Sequence, residues 1–198
     1  MPKIGMEPIR RDQLMSATIE SIAEFGMHAT TISRISQRAG LSSGIISHYF
    51  GSKQGLINAS VRYMLARLKQ EFLSKIDGHC SAEQRLMYIV ETNFSGLQHS
   101  AAFTKTWLSF WAQSMHNTQL QRLQKVNDRR LISNLSYAFA LLMPRKDAKQ
   151  AALLSAAMID GLWLRSVLSQ SGPIAFKQSE ALAKTYINSL IKQYGDSK

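Results

Sequence analysis

Apolar positions recur along this chain at helical spacing from end to end. In the segment 30–53, Ile32, Ile35 and Ala39 fall at i, i+3 and i+7, one face of an α-helix. Thr31 ahead of them is a hydroxyl N-cap, and Gly40 behind them is a stop that enters the left-handed region at little cost. Leu41 then plugs a corner, Ser42 is the next N-cap, and Ile46 and Phe50 give a second short helix its inward face. Gly51 and Ser52 end that helix and cap another. The pattern predicts a helix-turn-helix, whose second helix enters the major groove of DNA. Leu14, Thr18, Ile22 and Phe25 predict a supporting helix over 9–25, stopped by Gly26.

Helical spacing continues downstream. Leu56, Ile57, Val61, Met64, Leu65 and Leu68 line a helix over 53–76, read as the only link from head to body. Asp77, Gly78, His79 and Cys80 break it, and Ser81 with Gln84 has the spacing of a capping box opening a helix to 94. Further helices are expected over 103–114, 118–143 (stopped by Pro144), 148–169 and 175–194. No stretch alternates as a strand does. The reading is all-α, a three-helix DNA-binding head over 1–53 and a helical ligand-binding and dimerisation body over 54–198. The last two helices are too apolar for one buried face each, so a second face is expected to meet a twin subunit, with Ala156 and Leu190 as contact positions. The other reading of that excess is burial within one subunit.

Charge sharpens the reading of the head. The net charge is +11, and no Asp or Glu occurs from 25 to 70 while Arg34, Arg38, Lys53, Arg62, Arg67 and Lys69 do. A one-signed surface suits a phosphate backbone, and Arg10 and Arg11 extend it. With Ile46 and Phe50 turned inward, Ser43, Gly44, Ile45, Ser47, His48 and Tyr49 face outward. Small residues let a helix approach base edges, and Ile45 can meet a thymine methyl. Ser43, Gly44 and Ile45 are expected to read bases, and Thr31, Tyr49 and Lys53 to hold phosphates. No apolar run approaches the length of a spanning helix, and no apolar segment follows the basic N-terminus, so neither membrane insertion nor secretion is expected. One cysteine, Cys80, fits a reducing cytoplasm. Nucleophile-elbow, phosphate-loop and metal-helix motifs are missing, so neither an enzyme nor a metal or other cofactor is expected.

The middle of the chain carries unusual aromatic chemistry. Phe103, Trp107 and Trp111 are spaced i, i+4, i+8 with Phe110 beside them, and Asp160 lies in an apolar run with Trp163 three residues on. A buried carboxylate needs a cationic partner. Arg165, Arg129 and Arg130 are structural candidates, and a ligand cation is the alternative. A quaternary ammonium has no N–H, so proteins hold it with aromatic faces and a nearby anion. Trp107, Phe110, Trp111, Asp160 and Trp163, with Tyr88 and Glu91, form a candidate cage, and an ordinary aromatic core is the competing reading.

The motif Ala29-Thr30-Thr31-Ile32, the run Ile35-Ser36-Gln37-Arg38-Ala39-Gly40-Leu41-Ser42, and Gly44-Ile45-Ile46-Ser47-His48-Tyr49-Phe50 followed by Ser52-Lys53-Gln54-Gly55-Leu56 resemble the tetracycline-repressor (TetR) family of transcriptional regulators. Many members carry Lys where this chain has Ser43, and Thr or Ser where it has Ile45. The resemblance implies a homodimer through the last two helices, on palindromic operator DNA, with Thr30, Arg34, Ser42, Ser47 and His48 completing the DNA-binding set. The opening Pro2-Lys3-Ile4-Gly5-Met6-Glu7-Pro8-Ile9-Arg10-Arg11 is similar to the start of repressors of choline-to-glycine-betaine genes. That likeness implies choline as inducer. A repressor answering another cationic or hydrophobic molecule, or a DNA-binding protein with no ligand, are the alternatives.

Overall fold

A computed structural model describes residues 6–169 and 171–195; the expectation placed on the opening residues 2–5 lies outside them. The described residues form ten helical segments and no strand: α1 (Met6–Ala29), α2 (Ile32–Ala39), α3 (Gly44–Phe50), α4 (Lys53–Lys75), α5 (Ala82–Asn93), α6 (Gly96–His99), α7 (Ala101–Ser114), α8 (Thr118–Ala140), α9 (Arg145–Leu168) and α10 (Pro173–Gly195). The chain divides into one unit of Met1–Ala66 with Ser100–Gln124 and another of Arg67–His99 with Lys125–Lys198. It passes between them inside α4, between His99 and Ser100, and inside α8. Helix α4 is thus one of three crossings between these two units.

In the first unit Leu14 and Ala17 of α1, Ile35 of α2, Ile46 of α3 and Leu56 of α4 close into one core. Local signals set the corners. Thr31 accepts the Arg34 N–H at 3.2 Å, and Gly40 takes a left-handed conformation (φ 64°) that lets Leu41 N–H donate to the Ser36 carbonyl at 3.0 Å. Gly26, at φ 77°, interrupts α1 where its stop is expected. Phe25 leaves the expected inward stripe: it is exposed and lies under the Arg34 guanidinium, 4.2 Å from its ring centre. Helix α7 packs along α1, and the buried Thr106 hydroxyl donates to the Ile19 carbonyl at 2.9 Å.

In the second unit α10 packs along α9, tied by Ser166 Oγ donating to Ser179 Oγ at 2.7 Å. Helix α5 opens with the full capping box of Ser81 and Gln84 and packs on α10. Two of the expected subunit-contact positions belong to this unit's own core, with Ala156 5% and Leu190 4% exposed. The face that α9 turns outward carries Leu153, Ala157, Gly161 and Leu168 instead, with Leu182 exposed on α10. Both faces of α9 are thus apolar. By length and composition it is long and apolar enough to cross a membrane, with a mean hydropathy of 1.4 over its best 18-residue window, against the expectation that no run reaches that length. Only 39% of that window is buried within the chain.

Candidate nucleic-acid interface and sensing elements

Helix α3 is seven residues long, so its placement depends on neighbours more than on its own hydrogen bonds. It begins after Ser43, not Ser42, and the Ser43 side chain makes no capping bond. Ile46 is fully buried, and Phe50 is partly buried against the core. Ser42, Ser43, Gly44, Ser47 and His48 are exposed along one edge. Ile45 and Tyr49 are turned further in than the sequence pattern places them: both pack, partly buried, against the same core. The reason is helical spacing: Tyr49 lies three residues from Ile46 and Ile45 four from Tyr49, so both fall beside the inward row and reach the core.

The flanking candidates divide. Thr31 and Arg34 are exposed. Thr30 is fully buried and its hydroxyl donates to the Gly26 carbonyl at 2.8 Å, so it closes the end of α1 and presents nothing to a phosphate. Lys53 Nζ donates to the Thr30 carbonyl at 3.0 Å, tying α4 to that corner. Other head cations are also engaged internally. Arg34 donates to the Ala29 carbonyl, Arg38 pairs with Glu20 and Glu24 of α1, and Arg11 donates to the Tyr49 carbonyl at 2.9 Å. Sequence reasoning missed these ties because the partners are backbone carbonyls or acids of another helix.

The candidate cage also divides. Phe103, Trp107, Phe110 and Trp111 lie in the first unit, whereas Tyr88, Glu91, Asp160 and Trp163 lie in the second. Phe103 and Trp107 stack at 5.5 Å with 10° between planes, and Phe110 meets Trp107 edge-on at 5.4 Å. Those three are buried, while Trp111, 6.4 Å from Trp107, keeps partial exposure. Much of the aromatic wall is therefore occupied by itself. Trp163 is buried on the inner side of α9.

Glu91 does not await a ligand: it bonds Lys184 of α10 at 2.8 Å and Lys75 of α4 at 3.2 Å. Burial opposes its ionisation, but the two lysines outweigh that and hold its carboxyl below the usual range. Asp160 is not enclosed within this chain, because it lies on the outward side of α9 and keeps solvent access. Crowding by surrounding atoms, and then the charge of Asp128, push its carboxyl up to about 6. Its influential ionisable neighbour is an acid rather than Arg129, Arg130 or Arg165. Tyr88 is partly buried on α5.

A family model for bacterial regulatory proteins of the tetR family matches residues 14–60, and one for the BetI-type transcriptional repressor C-terminal domain matches residues 82–192, more than half the chain. The chain belongs to the TetR family of transcriptional regulators. It is similar to the HTH-type transcriptional regulator BetI of Serratia proteamaculans (strain 568), 50% identical over 188 residues covering 93% of each chain. It is also similar to BetI of Escherichia coli (strain K12), 48% identical over 196 residues, 98% of this chain and 96% of that one. The fold is shared with a transcriptional regulator of Pseudomonas aeruginosa PAO1 at TM-score 0.81 and 24% identity, covering 95% of this chain and 93% of that one. It is shared too with a regulator from Saccharomonospora viridis solved in complex with choline, at TM-score 0.77 and 20% identity, covering 94% and 97%. The protein is a DNA-binding transcriptional repressor and not an enzyme.

Proposed function

We propose that this chain is a dimeric, cytoplasmic repressor of choline-to-glycine-betaine genes, released from palindromic operator DNA by choline during osmotic stress. The observation that carries the reading is its near-50% identity, over almost its whole length, to BetI regulators, with the BetI-type domain model falling on the sensing half. A structural neighbour holding choline adds support at the level of the fold.

The chemistry is compatible. Choline's trimethylammonium group donates no hydrogen bond, and tryptophan faces are its preferred neighbours. Trp111 keeps partial exposure beside Trp107 on α7. The same helix touches α1 through Thr106 to Ile19, and Gln113 Nε2 lies 2.7 Å from His28 Nε2 just ahead of the helix-turn-helix. A ligand that prefers one placement of α7 thereby biases α1 and the placement of α3. It shifts DNA affinity only by its differential affinity for the two arrangements.

The test is fluorescence anisotropy on DNA upstream of choline-oxidation genes, at stated salt, with choline or ethanolamine added. Choline should release the DNA and ethanolamine should not, because a primary ammonium demands hydrogen-bond acceptors that an aromatic face lacks. Release by both amines alike, or by neither, contradicts the choline reading.

A further inference from the structure

We propose that Arg11 of α1 is a positioning residue for the DNA-reading helix, setting α3 from its C-terminal end without itself touching DNA. The inference rests on α3 being that helix. Arg11 donates to the Tyr49 carbonyl at 2.9 Å, across 38 residues of sequence. Its guanidinium carbon lies 4.6 Å from the centre of the Phe50 ring and 5.9 Å from that of Tyr49. Glu7, one turn earlier on α1, sits 3.5 Å from the same nitrogen.

Three features make this tie decisive for α3. The helix has seven residues and lacks a side-chain cap at Ser43, so its N-terminus is weakly fixed. Its last carbonyls carry the negative end of the helix dipole, where a cation is favoured. Arginine alone supplies both a directed N–H to the carbonyl and a flat face to stack on Phe50. Ile46 holds the middle of α3 in the core and Arg11 holds its end, which together fix the rotation that presents Ser43, Gly44 and Ser47 to bases.

The experiment compares the full-length protein with Arg11→Met and Arg11→Lys. The probes are a duplex selected by the wild-type protein from a random pool and a scrambled duplex of the same composition. Hydrogen exchange of the α3 amides is measured without DNA. Arg11→Met should lower the ratio of selected to scrambled affinity by about tenfold, the equivalent of one misread base pair. The scrambled affinity and its salt slope should not change, and the α3 amides should exchange faster. Arg11→Lys, which keeps the charge and loses the flat stack, should fall between the two. Uniform weakening on both duplexes with the slope reduced by about 0.9 makes Arg11 a phosphate ligand and overturns the proposal. So does unchanged α3 exchange in Arg11→Met. If Arg11→Met does not fold, unaltered exchange and ratio in Arg11→Lys overturn it equally. Failure of the wild-type protein to select any duplex refutes the reading role of α3 instead.

Discussion

The outward face of α9 gives the clearest prediction about assembly. Leu153 is 48% exposed and lies on the same side as Ala157, Gly161 and Leu168, whereas Ala156 is 5% exposed and belongs to the chain's own core. Glutamate at these two sites should therefore do different things. Full burial of a leucine is worth about 1.5–3 kcal/mol, so a half-exposed one leaves roughly 1 kcal/mol for a partner to collect. A two-fold contact uses each position twice, giving roughly 2 kcal/mol for Leu153→Glu before the cost of two charges in an apolar contact. That raises the dimer dissociation constant by at least about thirty-fold. Ala156→Glu buries a charge inside the subunit and should lower the melting temperature sharply. Sedimentation velocity over a concentration series, with circular dichroism, separates the cases. Leu153→Glu should be a folded monomer where the parent is a dimer. An intact dimer in Leu153→Glu at parental affinity, or a melting temperature as low as that of Ala156→Glu, refutes the assignment of this face.

Three further predictions concern the interior and the charges. Thr106→Val keeps shape but removes the bond to the Ile19 carbonyl, so it should destabilise the fold by about 0.5–1.5 kcal/mol in urea unfolding and blunt the choline response more than operator affinity. Trp107→Ala should cost about 3–5 kcal/mol of stability as a core truncation, while Trp111→Ala should fold well and lose the choline-induced thermal shift; the reverse ranking in a melt would exchange their roles. For Asp160 the folded carboxyl is raised to about 6, so its ionised form is disfavoured in the folded state above that pH, and the penalty disappears as pH falls through 6 towards its ordinary value. Asp160→Asn should melt higher than the parent at pH 7.5, hold a smaller advantage at pH 5, and lose it only below about pH 4; an advantage equal at pH 7.5 and pH 5 would show the carboxyl is not shifted upward.

Many helix ends were legible in the sequence because their signals are local. Thr31, Gly40, and the pair Ser81 and Gln84 act on residues within four positions, and their bonds follow the pattern expected of them. What was not legible depends on partners far away in sequence. Arg11 meets Tyr49 across 38 positions and Thr106 meets Ile19 across 87, and no periodicity encodes either. Ile45 and Tyr49 lie further in than an inward row of Ile46 and Phe50 alone suggests, because i+3 and i+4 neighbours share a helix face. The apolar residues beside Asp160 in sequence suggest an enclosed carboxyl, but which side of a helix faces the core is not set by immediate neighbours. Helix α9 has two apolar faces, and composition alone does not say which one the chain covers.

The central claim, that choline and operator DNA oppose one another on this protein, is tested most directly by reciprocal titration. Choline affinity is measured by calorimetry with and without saturating operator duplex, and operator affinity with and without saturating choline, at one salt concentration. Linkage requires the two ratios to be the same, and a regulator of this kind should show a coupling of about 5–150-fold. Weakening of each ligand by the other, by one common factor in that range, is the predicted result. Choline affinity unchanged by operator DNA, or no choline binding at all, would contradict the account.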